Sequence, residues 1–183
     1  AVDEWLKVQS LHRRSQPKSP GMLYVVLNPS GKDDDRSLSV NQVVDLAQRL
    51  QLGSQFNIVV LDSPGNEAMS TAIRERAELR HGLVYRTFSS KPLGELASLI
   101  EGALLVISPD TSIVHFASAM QTPVLAIYAP VNASQEWLPY RIPYDVVWAT
   151  GDQRISDIET HVLIEGAERS IGKVSRMFGV QSS

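Results

Sequence analysis

The stretch 103–128 reads ALLVISPDTSIVHFASAMQTPVLAIY, and its pattern decides the fold. The apolar run at 103–108 is typical of a strand that is buried on both faces. The polar segment 108–112 follows, and the apolar residues of 111–120 then recur at helical spacing. A second apolar run fills 123–128. Strand, helix and strand in this order predict two parallel strands joined by a crossover helix.

The same unit recurs along the rest of the chain, although no internal sequence repeat is present. The predicted strands are 22–27, 56–61, 82–86, 103–108, 123–128 and 144–149, and the predicted helices are 40–52, 67–79, 93–100, 111–120 and 162–178. Strands that alternate with helices predict an α/β domain built on a Rossmann-like, doubly wound parallel sheet. A further helix is predicted at 2–11, before a segment rich in proline and serine. We therefore divide the chain into an N-terminal helix and linker, 1–21, and one domain, 22–183.

Composition narrows the possible functions. The 183 residues are 43% hydrophobic and 20% charged, which is enough apolar material for a packed core. The net charge of −3 argues against a broad basic face, so no nucleic acid partner is expected. Cysteine is absent, which excludes a disulfide scaffold and a cysteine nucleophile. No apolar run approaches the roughly 18 residues that span a bilayer, so no transmembrane segment is expected.

The loop at 108–112 is the most informative candidate site, because ligands of open α/β sheets bind outside the carboxyl ends of the strands. Asp110 or Thr111 can cap the following helix, and the free N–H groups at a helix start suit a phosphate. Ser112 opens that helix, and His115 lies within its first turns. The same residues also fit a simple helix cap with His115 packed on the polar side.

The loop after the first predicted strand is a second candidate. Small residues there would let the backbone approach a phosphate, and the cations would supply countercharge. The residues concerned are Asn28, Ser30, Gly31, Lys32 and Arg36. Three aspartates at 33–35 oppose an anion, so the loop fits a solvated turn equally well. Neither a P-loop nor a G-x-G-x-x-G motif occurs.

The sequence also bears on two further kinds of site, a ribose site and a metal site. Glu67 falls where nucleotide-binding sheets place a carboxylate for the ribose hydroxyls, and it also suits the first turn of a helix. The four histidines and the aspartates at 33–35 lack metal-ligand spacing, so neither a metal nor another cofactor is expected.

The segment 105–130 resembles the signature of glycosyltransferase family 9, the ADP-heptose:lipopolysaccharide heptosyltransferases. The residues that match in register are Asp110, Thr111, His115, Ala117, Ala119 and Pro123. The wider resemblance covers about 23–140, including Asn28 and Ser30 at the exit of the first strand. It implies the C-terminal, donor-binding domain of a two-domain GT-B enzyme.

The resemblance also implies a role for each candidate. Asp110, Thr111, Ser112 and His115 would line the donor phosphates and the proximal sugar. Lys32 or Arg36 would stabilise the leaving diphosphate in place of a metal ion. Lys91 would lie near the base, and Glu67 near the ribose. The family usually carries Lys-x-Trp-Pro where this chain has Arg36, Ser37, Leu38 and Ser39.

The implied activity is inverting sugar transfer from a nucleotide sugar such as ADP-heptose to a lipopolysaccharide-type glycan. The general base is expected in an N-terminal acceptor domain outside this chain, so the catalytic residue is unknown and the chain alone is expected to be inactive. The parent enzyme would be cytoplasmic, at the inner membrane face. Two alternatives stay open, namely an interaction module that kept the fold without catalysis, and a GT-B-like nucleotide-sugar epimerase.

Overall fold

The computed structural model describes residues 1–11, 13–15, 22–53, 56–62, 67–80, 83, 86–89, 92–129 and 137–180. The strands are β1 Tyr24–Leu27, β2 Asn57–Leu61, β3 Arg86–Phe88, β4 Leu105–Pro109, β5 Val124–Tyr128 and β6 Tyr144–Trp148. The α-helices are α1 Val2–Val8, α2 Val40–Gly53, α3 Glu67–Glu78, α4 Leu93–Gly102, α5 Ser112–Ala119 and α6 Thr160–Phe178. Short 3₁₀ turns occupy Asp34–Arg36 and Ile155–Asp157.

The six strands form one parallel sheet in the order β3-β2-β1-β4-β5-β6. The chain moves outward from β1 through β2 to β3, then returns to the other side of β1 and continues through β4 to β6. The strand order therefore reverses between β1 and β4, where Leu27 pairs with Ile107. This is the switch point at which such sheets bind ligands. The predicted doubly wound α/β fold is confirmed.

Both faces of the sheet are buried, which explains why the strand sequences are almost continuously apolar. Val25 and Leu27 belong to a cluster covered by α2, α3 and α6. Tyr24 and Val26 belong to a second cluster covered by α1, α4 and α5. Successive residues of one strand thus pack on opposite faces, as the period of two in a strand requires.

The N-terminal helix is shorter than the predicted 2–11. Helix α1 ends at Val8, because Ser10 takes a positive φ of 55° and Leu11 pairs with Met22 in an isolated parallel bridge. The chain that follows is held against the carboxyl-terminal half of α4. Arg13 Nη1 donates to Ser98 O at 2.8 Å, and Arg14 N donates to Gly102 O at 2.8 Å. Residues 16–21 of the predicted linker lie outside the described part, so the division at residue 21 stays a prediction.

The predicted third strand, 82–86, lies mostly outside the described residues and overlaps the described strand at Arg86. The observed strand is Arg86–Phe88, with Val59 paired to Arg86. β3 lies at the edge of the sheet, where only Phe88 is buried, and its ring meets that of Trp5 edge-on at 5.1 Å. Phe88, the buried residue of this strand, therefore anchors its carboxyl end. The other predicted elements are present with shifted ends.

Gln42 joins helix α2 to the segment that follows β6. Its Oε1 accepts from the Ser39 N–H at 2.7 Å, and Ser39 Oγ accepts from the Gln42 N–H at 3.2 Å, which forms a capping box. Its Nε2 donates to the carbonyls of Ile158 at 2.7 Å and Ile155 at 3.1 Å. One buried side chain thus satisfies three backbone groups at the carboxyl edge of the sheet.

We expect Gln42→Ala to lower the free energy of unfolding by about 2 kcal/mol, because it removes one half of the capping box and the side-chain hydrogen bonds to the carbonyls of Ile155 and Ile158. Urea unfolding measures the change. The control is Asn41→Ala, whose side chain is exposed on the same helix and should have a small effect. Equal effects of the two substitutions would contradict this role for Gln42.

Candidate functional site

Asn28 links the two strands at the switch point. It directly follows β1 and is 2% exposed. Its Nδ2 donates to Ser30 O at 2.9 Å and to Ser108 Oγ at 3.0 Å, with Thr111 Oγ1 at 3.3 Å. Its Oδ1 accepts from the Ser30 N–H at 3.3 Å. A single amide therefore connects the exit of β1 with the exit of β4.

The loop after β4 positions the start of helix α5. Thr111 is the N-cap, since its Oγ1 accepts from the Ile113 N–H at 3.2 Å. The Thr111 carbonyl accepts from the Val114 N–H at 3.1 Å, and Asp110 N donates to Ile127 O at 3.0 Å. Of the two predicted caps, the structure therefore selects Thr111. Asp110 is half-buried beside it, and its carboxylate has no capping role.

The loop after β1 is compact. Its ends are joined by a hydrogen bond from Leu38 N to Pro29 O at 2.9 Å. The Gly31 N–H donates to Ser37 Oγ at 2.9 Å. A Cβ on Gly31 would lie 2.1 Å from the Arg36 carbonyl oxygen, so the two backbones are in direct contact. This contact requires glycine at position 31 and fixes where Arg36 leaves the loop.

The aspartates in this loop have cationic neighbours. Asp33 lies 3.9 Å from the Arg36 guanidinium, and Asp35 lies 4.0 Å from that of Arg154. Arg154 also pairs with Asp157 at 3.1 Å, which lowers the pKa of that carboxyl group. The repulsion expected between the acidic run and an anion is therefore partly offset.

Arg154 was missed by the sequence analysis. Its position after β6 could have identified it, because residues that follow β6 reach the same carboxyl edge as the loop that follows β1. An ion pair between residues so far apart in sequence has no local pattern.

The remaining candidates lie along the same edge. Lys32 is exposed in the first loop, and Glu67 is the exposed first residue of α3, after β2. Ser112 and His115 are exposed on α5. Lys91 falls outside the described residues. The described candidates thus share the carboxyl edge, and hydrogen bonds join Asn28 to Ser30 and to Thr111.

His115 belongs to an aromatic group that the sequence analysis also missed. Its ring lies edge-on to Trp137, with centroids 5.8 Å apart. The Tyr128 hydroxyl donates to Trp137 O at 3.0 Å, and burial raises the pKa of that hydroxyl, so it remains a donor. Trp148 stacks on Tyr128 with centroids 4.9 Å apart. Trp137 lies in the connection that follows β5, so the rule of carboxyl ends points to it.

Within the described residues, no group of three or more His, Cys, Asp or Glu side chains is placed to hold a metal ion. A search of the same residues for a helix long and apolar enough to cross a membrane finds none.

Comparison with known protein families assigns the chain to one of them. The model of glycosyltransferase family 9 (heptosyltransferase) matches residues 6–162. The chain belongs to this family. The match covers β1 to β6, and so it includes both loops that meet at the switch point.

Solved structures share the fold at low sequence identity. A glycosyl transferase family 9 protein from Veillonella parvula DSM 2008 has a TM-score of 0.74 at 16% identity, over 94% of this chain and 51% of that chain. The ADP-heptose lps heptosyltransferase II of E. coli has a TM-score of 0.73 at 18% identity, also over 94% of this chain and 51% of that chain. The chain thus spans about half the length of these relatives. No curated protein matches its sequence.

The fold is not confined to sugar transfer. The UDP-GlcNAc 2-epimerase of Neisseria meningitidis has a TM-score of 0.57 at 15% identity, over 98% of this chain and 46% of that chain. Shape alone therefore does not separate a transferase from an epimerase. The sequence match to family 9 makes that distinction at the level of the family.

Proposed function

We propose that this chain is the donor-binding half of a heptosyltransferase-like glycosyltransferase, with an ADP-sugar such as ADP-heptose as its donor. The observation that carries the proposal is the network through which Asn28 joins the exits of β1 and β4 beside the capped start of α5. A phosphate group fits there because the first N–H groups of a helix lack helical partners and carry partial positive charge.

The side chains around the network suit a diphosphate that must leave. Lys32 and Arg36 lie in the loop after β1, where they would neutralise the charge that develops on the departing ADP. The Ser112 amide and hydroxyl would bind the phosphate oxygens, and Asp110 and His115 would bind the sugar hydroxyls. Glu67, beyond β2, would accept from the ribose hydroxyls, and Lys91 would lie near the base.

The proposed reaction is an inverting substitution at the anomeric carbon. An acceptor hydroxyl forms the new C–O bond as the bond to the diphosphate oxygen breaks, and the hydroxyl proton passes to a carboxylate acting as general base. We place that base in a second domain, which would also bind the lipopolysaccharide-type acceptor. Catalysis would then need both halves, at the cytoplasmic face of the inner membrane, and this half alone would bind without turnover.

Calorimetry with ADP, ADP-heptose and UDP tests the proposal. We expect ADP and ADP-heptose to bind, and UDP to bind more weakly. Preference for UDP would favour the epimerase alternative. An absence of binding to all three nucleotides at millimolar concentration would favour the non-catalytic interaction module.

Thr111→Val should weaken ADP binding about tenfold, because it removes the N-cap that orients the first turn of α5. Calorimetry measures the affinity, and urea unfolding measures the accompanying loss of about 1 kcal/mol. Thr122→Val is the matched control: its hydroxyl donates to Ile100 O at 2.9 Å beyond the other end of the same helix. That substitution should lower stability while ADP affinity stays unchanged. A similar loss of affinity in both variants would count against a phosphate site at α5.

A further inference from the structure

The aromatic group at the end of β5 is held more rigidly than an ordinary surface cluster. Tyr128 is 1% exposed, and it contacts one tryptophan through its hydroxyl and another through its ring. The hydroxyl fixes the backbone of Trp137, and the indole of Trp137 rests against His115. The ring of Trp137 therefore has a defined position, although its residue is 59% exposed.

An exposed indole at a fixed position is costly to leave in water, since aromatic side chains are among the largest apolar groups of a protein. The exposed Trp137 contributes little to the main core. Its neighbour Leu138 instead packs on the small cluster of Tyr128, Val114 and Ala126. Ligand sites are lined mainly by apolar and aromatic side chains with a few polar groups, so an indole beside the polar start of α5 suits a ligand contact. The position of the ring is thus better explained by a ligand than by packing.

The place of Trp137 along the sheet indicates which part of a ligand it would meet. The phosphate position lies at β1 and β4, and Glu67, proposed for the ribose, lies beyond β2 on the β3 side. In this orientation the nucleotide runs from the ribose beyond β2 to the proposed phosphate position at β1 and β4. The group attached to its second phosphate would then lie on the side of β5 and β6. His115 and Trp137 lie on that side.

We propose that Trp137, supported by His115, is a stacking surface for a pyranose ring of the substrate. The inference rests on the proposed function, because it uses the orientation of the bound nucleotide. One face of a pyranose carries several axial C–H groups, which are weakly positive and apolar. The face of an indole is negative, so the two surfaces attract each other and exclude water. The ring is either the sugar of the donor or the first sugar of the acceptor.

Titrations of the 183-residue chain with ADP, ADP-heptose and a methyl heptoside test the proposal. The decisive quantity is the gain in affinity that the heptose adds to ADP. In Trp137→Ala we expect this gain to fall about five- to tenfold while ADP affinity stays unchanged. Trp137→Phe should restore most of the gain, because it keeps a ring at this position.

The matched control is Tyr140→Ala. Tyr140 is 65% exposed in the same connection, but its N–H donates to Ser118 Oγ, near the other end of α5. We expect its removal to leave every affinity unchanged. If Trp137→Ala reduces the gain in affinity that the heptose adds to ADP, then the stacked pyranose is the donor sugar. A loss of methyl heptoside binding without that fall assigns it to the acceptor.

Other results overturn the proposal. A weaker affinity for ADP itself in Trp137→Ala would show that the indole binds the base. Unchanged affinities for all three probes would show that it binds nothing here. In both cases ADP still binds the unaltered chain, so the proposed function survives. If ADP does not bind the unaltered chain, the proposed function fails first and the stacking surface fails with it.

Discussion

Asn28→Asp should abolish measurable ADP binding and lower the free energy of unfolding by about 3 kcal/mol. The wild-type amide donates to the oxygens of Ser30, Ser108 and Thr111. A carboxylate of the same shape has no proton to donate, so the Ser30 carbonyl loses this donor and a charge is placed in a buried site. It would also repel a phosphate at the start of α5. Urea unfolding and calorimetry measure the two effects.

The loss in free energy of unfolding that Asn28→Asp causes should depend on pH. Burial raises the pKa of the new carboxyl group in the folded state above its unfolded value of about 3.9. The penalty is therefore fully present above the folded-state pKa, and it shrinks as the pH falls through that value. Asn41→Asp is the control, since it is the same change at an exposed position in the first turn of α2. It should be neutral or slightly stabilising. Normal stability and binding in Asn28→Asp would contradict the network.

Gly31→Ala is expected to weaken ADP binding by more than about tenfold and to cost about 2 kcal/mol. The added Cβ would lie 2.1 Å from the Arg36 carbonyl oxygen and 2.8 Å from the Arg36 Cβ, so the loop after β1 must open. Opening would move Lys32 and Arg36 away from the proposed diphosphate. Calorimetry and thermal unfolding measure both changes.

The same substitution at Gly94 provides the control for Gly31→Ala. Gly94 lies at the start of α4, and a Cβ there would meet nothing within 4 Å. Gly94→Ala should leave ADP affinity unchanged and keep or slightly raise stability, because alanine loses less entropy in a helix. If Gly31→Ala binds ADP as tightly as Gly94→Ala does, then the first loop takes no part in donor binding.

The sequence predicts the architecture well where burial is complete. β1, β2, β4 and β5 are buried at every position, so each appears as a mainly apolar run. β3 is an edge strand in which only Phe88 is buried, so an apolar pattern does not mark its ends. The rule that ligands bind at carboxyl ends selected loops after β1 and β4, and the structure places these loops side by side at that edge of the sheet.

The side-chain network could not be predicted in the same way. Asn28 and Ser108 are 80 residues apart, and their hydrogen bond leaves no local pattern in either segment. The choice of Thr111 over Asp110 as the cap depends on backbone angles that both residue types accept. Trp137 and Arg154 lie in connections whose course follows from packing, so their closeness to the candidate site became visible only in three dimensions.

The reversal of strand order between β1 and β4 has a consequence for how the domain folds. The first three strands can pair with one another early, as can the last three, but the two groups meet only when β1 pairs with β4. That pairing closes a long loop, which costs entropy and slows folding. The contact between Asn28 and Ser108 spans the same seam. We therefore expect the capacity to bind ADP to return late during refolding, after most of the helical signal has recovered.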